Sequence, residues 1–255
     1  HFEEFDKIAA DKILTEFAMT PEALIWGNLI KAKNRNEYKL WVDNFAQLTE
    51  GQRLKSLKGE LHQISAVSFC LNLYTDFTSK NSPDWNEAFD QLEKIIQISL
   101  EHNLPIIVIA AVKFQIRCLC VGLKEYKHSI SLYNKYIDLT KTNSIDRFLL
   151  TDELGRQLHY GKGEPEPTAY LLEAASIDTP KIFVEKMDTY LALNNIFGET
   201  NRVRAHEFAE KAYQLQKGNE YVNTIFSVKI IGEFAVSLWE NKECKKVLYI
   251  LSEGL

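Results

Sequence analysis

Apolar residues return every three or four positions through almost the whole chain, and no run alternates apolar with polar for more than a few residues. The pattern therefore predicts helices and no strands. Phe5, Ile8, Ala9, Ile13 and Phe17 mark a first helix over 2–17. Thr20 and Pro21 then supply an N-cap and a first-turn proline for a helix reaching Ala32. After a turn at Asn34-Arg35-Asn36, the residues Leu40, Trp41, Phe45 and Leu48 stripe a helix over 38–48, and 52–78 reads as one long helix. Ser82-Pro83-Asp84 opens a helix over 85–101, which Asn103-Leu104-Pro105 stops, and helices over 104–123 and 127–139 follow. The reading continues with 146–160, 168–176, a start at Asp178-Thr179-Pro180, two helices within 186–215, and a last pair over 221–238 and 242–251. The glycine- and proline-bearing run 161–167 is the clearest break, of a length suited to a loop between helices.

Small residues give these helices an order. Within 186–215, Tyr190, Leu193, Ile196 and Phe197 precede a turn over 198–201, and Ala205, Phe208, Ala209, Ala212 and Leu215 follow it. Ala205 and Ala212 lie seven apart on one face, where only a short side chain lets a neighbouring helix approach closely. Leu154-Gly155, with Leu158 three on, repeats the pattern of a first helix, and Gly232 reads as a close-approach position in a later one. Small residues early in the second helices, Ala88, Ser129, Ala169, Ala205 and Cys244, recur at steps of 41, 40, 36 and 39. This spacing resembles the tetratricopeptide repeat, a helical hairpin of about 34 residues that stacks into a superhelix, in a divergent form with a longer period. Thr189, Leu193 and Ala209 depart from that family's pattern. The resemblance implies an all-α fold, an array of antiparallel helical hairpins forming an α-solenoid. The expected organisation is a single array over 1–255, irregular over 1–80 and more regular over 81–255.

Composition narrows the function classes. A chain of 255 residues with 45% hydrophobic residues buries a sizeable core. A net charge of -5, a pI near 5.8 and no dense Lys/Arg run argue against general nucleic-acid binding. The most apolar stretch, 104–123, carries Lys113 and Arg117 near its middle, which a bilayer would make costly, so it reads as a core helix rather than a membrane span. Cys70, Cys118, Cys120 and Cys244 are scattered through apolar helical stretches, as buried reduced thiols are. With no signal peptide pattern at the start, the expected location is cytoplasmic. Gly161-Lys162-Gly163 lacks the spacing and the Ser or Thr of a phosphate loop. No nucleophile elbow occurs, and the histidines read mostly as surface or capping residues. The chain thus offers no catalytic constellation, metal set or cofactor motif.

The resemblance also implies where a partner would sit, on first-helix side chains lining a concave surface. Carried over, the positions are Asp152, Arg156 and His159 around Gly155, Tyr190 and Asn194 in the next unit, and Lys229 and Glu233 in the last. Asn194 carries most weight, since its amide can bond both the N–H and the C=O of an extended peptide. The expected function is a protein- or peptide-binding scaffold without activity of its own, with no nucleic-acid or membrane partner. A start at His1 and an end shortly after an apolar helix motivate a second reading, the ligand-sensing module of a larger regulator whose effector domain lies elsewhere. A helical enzyme with converging carboxylates is the third.

Overall fold

In the computed structural model, residues 21–56, 60–161, 167–178, 183–217 and 224–253 are described, and among them every regular element is helical. The predicted helix over 2–17, the cap at Thr20, most of the loop over 161–167 and the start at Thr179-Pro180 fall outside the described residues. The chain divides into two compact units, residues 1–142 and 143–255.

The first unit contains α1 (Pro21–Lys31), α2 (Arg35–Ala46), α3 (Glu50–Ser56), α4 (Glu60–Thr78), α5 (Trp85–Glu101), α6 (Pro105–Arg117) and α7 (Tyr126–Tyr136). The helix expected over 52–78 corresponds to α3 and α4, with residues 57–59 outside the described residues. Starts follow side-chain caps: Asn34 Oδ1 accepts from the N–H groups of Asn36 and Glu37, and Asp84 Oδ1 from that of Glu87 at 3.0 Å. Asn103, at φ 54°, ends α5 in a Schellman turn in which the Leu104 N–H donates to the Ser99 carbonyl at 2.8 Å. Pro105, lacking an N–H, then starts α6 at no cost in hydrogen bonds.

Aromatic contacts run through this unit. Trp26 of α1 meets Trp41 and Phe45 of α2, Tyr38 stacks on Phe69 of α4, and the Trp41 indole N–H donates to the Ile25 carbonyl at 2.7 Å. The Tyr38 and Ser99 hydroxyls share a hydrogen bond, so both of these buried hydroxyls are satisfied. Full burial of a side chain such as Phe69 contributes roughly 1.5 to 3 kcal/mol. Leu40, expected on the buried stripe, is 62% exposed.

Helix α6 and the π-helical turn that continues it, Cys118–Leu123, form a segment long and apolar enough to cross a membrane by length and composition, yet α4, α5 and α7 enclose it. Every residue from Ile107 to Ile116 is buried, Lys113 included. The segment is a core helix, as its internal charges predict. Gly122 lets this turn lie against Trp85, where a Cβ would stand 2.1 Å from the indole ring.

The second unit contains α8 (Ser144–Tyr160), α9 (Thr168–Ser176), α10 (Phe183–Gly198), α11 (Arg202–Lys217), α12 (Thr224–Glu240) and α13 (Cys244–Glu253). Consecutive helices pack on one another throughout, and α10 also touches α8. Leu171, Leu193, Phe197, Ala205 and Phe208 form one cluster, and Met187, Leu191, Ala209, Ala212, Ile230 and Phe234 lie in another. Ala205 and Ala212 are both buried, as their spacing predicts. Gly155 is a true close approach, since a Cβ there would stand 2.8 Å from Leu171 Cγ and 3.1 Å from the Leu171 backbone nitrogen. Gly232 is not, because no atom lies within 4 Å of its would-be Cβ. Cys244 is likewise exposed rather than buried, while Cys70, Cys118 and Cys120 are enclosed.

Candidate functional site

One turn of α8 and one of α10 carry buried charge where a packed helix usually carries aliphatic residues. On α8, Asp152, Glu153 and Arg156 are all buried. Their i, i+3 and i+4 spacing puts them on one side of the helix, and Gly155 between them draws α9 close on another. On α10, Asp188 and Thr189 are buried opposite them.

The geometry is a shared guanidinium. Arg156 Nε donates to Asp152 Oδ2 at 2.8 Å and its Nη2 lies 2.7 Å from the same oxygen. Arg156 Nη1 reaches Asp188 Oδ2 at 3.3 Å, and Glu153 lies 3.8 Å away. The Thr189 hydroxyl donates to Asp152 Oδ1 at 2.6 Å. From α12, Lys229 Nζ approaches Asp188 Oδ1 at 3.9 Å with its side chain 48% exposed, so it stands at the solvent edge of an otherwise enclosed group. A second link lies alongside, where the Asn194 amide donates to Glu233 Oε2 at 3.2 Å.

Charge balance explains the electrostatics. Burial penalises the Arg156 cation, but Asp152, Glu153 and Asp188 more than offset this and hold the guanidinium above its usual range. Asp188 moves upward too: burial disfavours its carboxylate, Asp152 and Glu153 add repulsion, and Arg156 with Lys229 only partly compensate. The group therefore holds more carboxylates than its cations neutralise.

The structure brings together Asp152, Arg156 and Lys229 through Asp188, and pairs Asn194 with Glu233. It leaves Lys229 at the solvent edge but does not leave Asp152, Arg156 and Asn194 as solvated groove residues. Asp152, Arg156 and Asn194 are buried and bonded, so the Asn194 amide already spends a donor on Glu233. Tyr190 is half-buried and stacks on Phe208, which makes it part of the packing between α10 and α11. His159 is half-buried beside Tyr160, and burial holds its pKa below the usual value. Glu153, Asp188 and Thr189 were not anticipated. The clustering of Asp152, Glu153 and Arg156 within about one turn of α8 could have pointed to Glu153, whereas no local pattern marks Asp188 and Thr189.

Among the other histidines, His62 contradicts the surface expectation, for it is buried against Trp26 at 5.5 Å between ring centres. Compared with protein-family models, curated proteins and solved structures, the chain matches none.

Proposed function

We propose that this chain is a protein- or peptide-binding scaffold, a divergent tetratricopeptide-like array of helical hairpins, and that its binding surface runs along the charged seam of α8, α10 and α12. The observation that carries the reading is the continuity of polar side chains across three helices that are not consecutive in sequence: Arg156 to Asp188 to Lys229, with Asn194 to Glu233 beside them. A stack of helix pairs aligns its alternate helices in just this way.

The seam sets four carboxylates, Asp152, Glu153, Asp188 and Glu233, against the two cations Arg156 and Lys229. It suits an extended segment carrying basic side chains, one of which would replace the half-exposed Lys229 at Asp188. Such exchange leaves the buried Arg156 network intact and alters only its solvent edge, which is where a reversible partner contact belongs.

The test is to pan a peptide display library against the whole chain and re-measure the enriched peptides on Lys229→Glu and Glu233→Lys proteins. The reading expects basic peptides to be enriched and both variants to change their affinity in opposite directions. Enriched peptides without basic character, or binding indifferent to both variants, would place recognition elsewhere.

A further inference from the structure

Helices α1 and α2, joined by a short turn, leave a cavity of about 300 Å³ between them that opens to solvent. Its floor is aromatic. Trp41 and Phe45 border it, both buried and stacked with their ring centres 5.2 Å apart. The Trp41 indole N–H is already donated to the Ile25 carbonyl at 2.7 Å, so this floor offers ring surface and no polar group. The exposed Leu40 stands at the rim of the same cavity.

The two charged residues of the cavity lie together at one end. Lys31 closes α1 and Glu37 lies in the first turn of α2, so they flank the connecting turn from either side. Glu37 is held in place: its Oε2 accepts from the Lys33 N–H at 2.7 Å and its Oε1 from the Asn34 side-chain amide at 2.8 Å. Each of these oxygens keeps a lone pair for a further donor. Among the described residues, no hydrogen bond or ion pair engages the Lys31 side chain. A free ammonium and a fixed carboxylate therefore stand side by side at the end of an aromatic floor.

We propose that this cavity binds a free α-amino acid with a large apolar side chain. The ligand's carboxylate meets Lys31, its ammonium meets Glu37, and its side chain lies on the rings of Trp41 and Phe45. Both charges of a free amino acid sit on one carbon, which matches two opposite charges at one end of the cavity. A simple apolar carboxylate would satisfy Lys31 but be repelled by Glu37. The volume is at the lower end of the roughly 300 to 1,000 Å³ usual for ligand cavities, a size for one residue rather than for a peptide or a nucleotide. The cavity belongs to the first unit, and the inference does not depend on what the charged seam binds.

The test titrates L-phenylalanine calorimetrically into the whole chain, into Lys31→Met, and into Lys39→Met as a control at an exposed lysine of α2 that does not border the cavity. Both lysines are exposed, so all three proteins should melt alike. Saturable one-to-one binding to the unaltered chain and to Lys39→Met is expected, weakened by roughly tenfold or more in Lys31→Met. Glycine, which lacks the apolar body, and 3-phenylpropionate, which lacks the ammonium, should each bind the unaltered chain roughly tenfold or more weakly than phenylalanine. No saturable binding of phenylalanine, or equal binding by all three proteins, overturns the proposal. Binding of 3-phenylpropionate as tight as that of phenylalanine also overturns it, since Glu37 would then take no part.

Discussion

Arg156 Nη1 lies 3.3 Å from Asp188 Oδ2, joining α8 to α10 inside a group where three carboxylates share one buried guanidinium. The two ends of this contact are not equivalent. Arg156→Met strips the only enclosed cation and leaves Asp152, Glu153 and Asp188 facing one another, which should cost about 3 to 5 kcal/mol. Asp188→Asn keeps the shape and removes one excess charge. Since the folded state raises the Asp188 pKa, its ionisation is disfavoured by folding: that contribution to stability is present at low pH and lost as pH rises through the folded pKa. At neutral pH the Asp188→Asn protein should therefore unfold at a urea concentration no lower than the unaltered chain. A fall as deep as that of Arg156→Met would show that the Arg156–Asp188 bond outweighs the carboxylate repulsion.

Two helical glycines of the second unit, Gly155 and Gly232, should respond oppositely to alanine. At Gly155 the new methyl meets the Leu171 backbone nitrogen at 3.1 Å, which cannot yield without moving α9, so Gly155→Ala should destabilise by about 1 to 3 kcal/mol. At Gly232, inside α12, the methyl meets nothing within 4 Å, and Gly232→Ala should stabilise by roughly 0.5 to 1 kcal/mol through helix propensity. Denaturant midpoints of the two proteins decide this, and shifts of the same sign would contradict the packing described.

Lys242 sits at φ 65° in the turn between α12 and α13, where the Glu243 N–H donates to the Leu238 carbonyl at 2.9 Å. A Cβ in this left-handed conformation is strained, and glycine is not. Lys242→Gly should raise stability by about 0.5 to 1 kcal/mol, read as a higher melting temperature; an unchanged or lower one would mean the lysine side chain contributes more than its strain costs.

The all-helical character is legible because apolar spacing of 3.6 depends on local geometry alone, and caps at Asn34, Asp84 and Pro105 announce themselves by residue type. Gly232 reads as a close approach from its apolar neighbourhood, but the distance to the facing helix is not a local property, and no atom lies within 4 Å of its would-be Cβ. Cys244, read as buried from its apolar stretch, is exposed for the same reason. The seam was half legible: Asp152, Arg156, Asn194, Lys229 and Glu233 were singled out as polar residues on the correct helices. The burial of Asp152 and Arg156 was not, because their partners Asp188 and Thr189 lie on a helix more than thirty residues away. No local pattern encodes that partnership. The π-helical turn at Cys118–Leu123 was equally silent, and its Gly122 lies against Trp85, a contact between residues thirty-seven apart that no local pattern shows.

His62 gives the first unit an acid limit. Its ring is buried against Trp26, and burial lowers its pKa to about 4. The unfolded chain binds a proton there near pH 6.5, the folded chain only near 4. As pH falls through that interval the unfolded state is favoured, so the group's contribution is complete above about pH 6.5 and lost towards about pH 4. The loss should reach on the order of 2 to 3 kcal/mol. His62→Phe keeps an aromatic ring beside Trp26 and has no proton to bind, so its stability should fall less steeply between pH 7 and pH 4.5, although carboxylates elsewhere titrate in both proteins. The measurement is the urea unfolding free energy of each protein at several pH values across that window. Curves that separate as pH falls are the expected result; parallel curves would show that the imidazole is protonated as easily in the fold as out of it, and that its burial leaves a path for water.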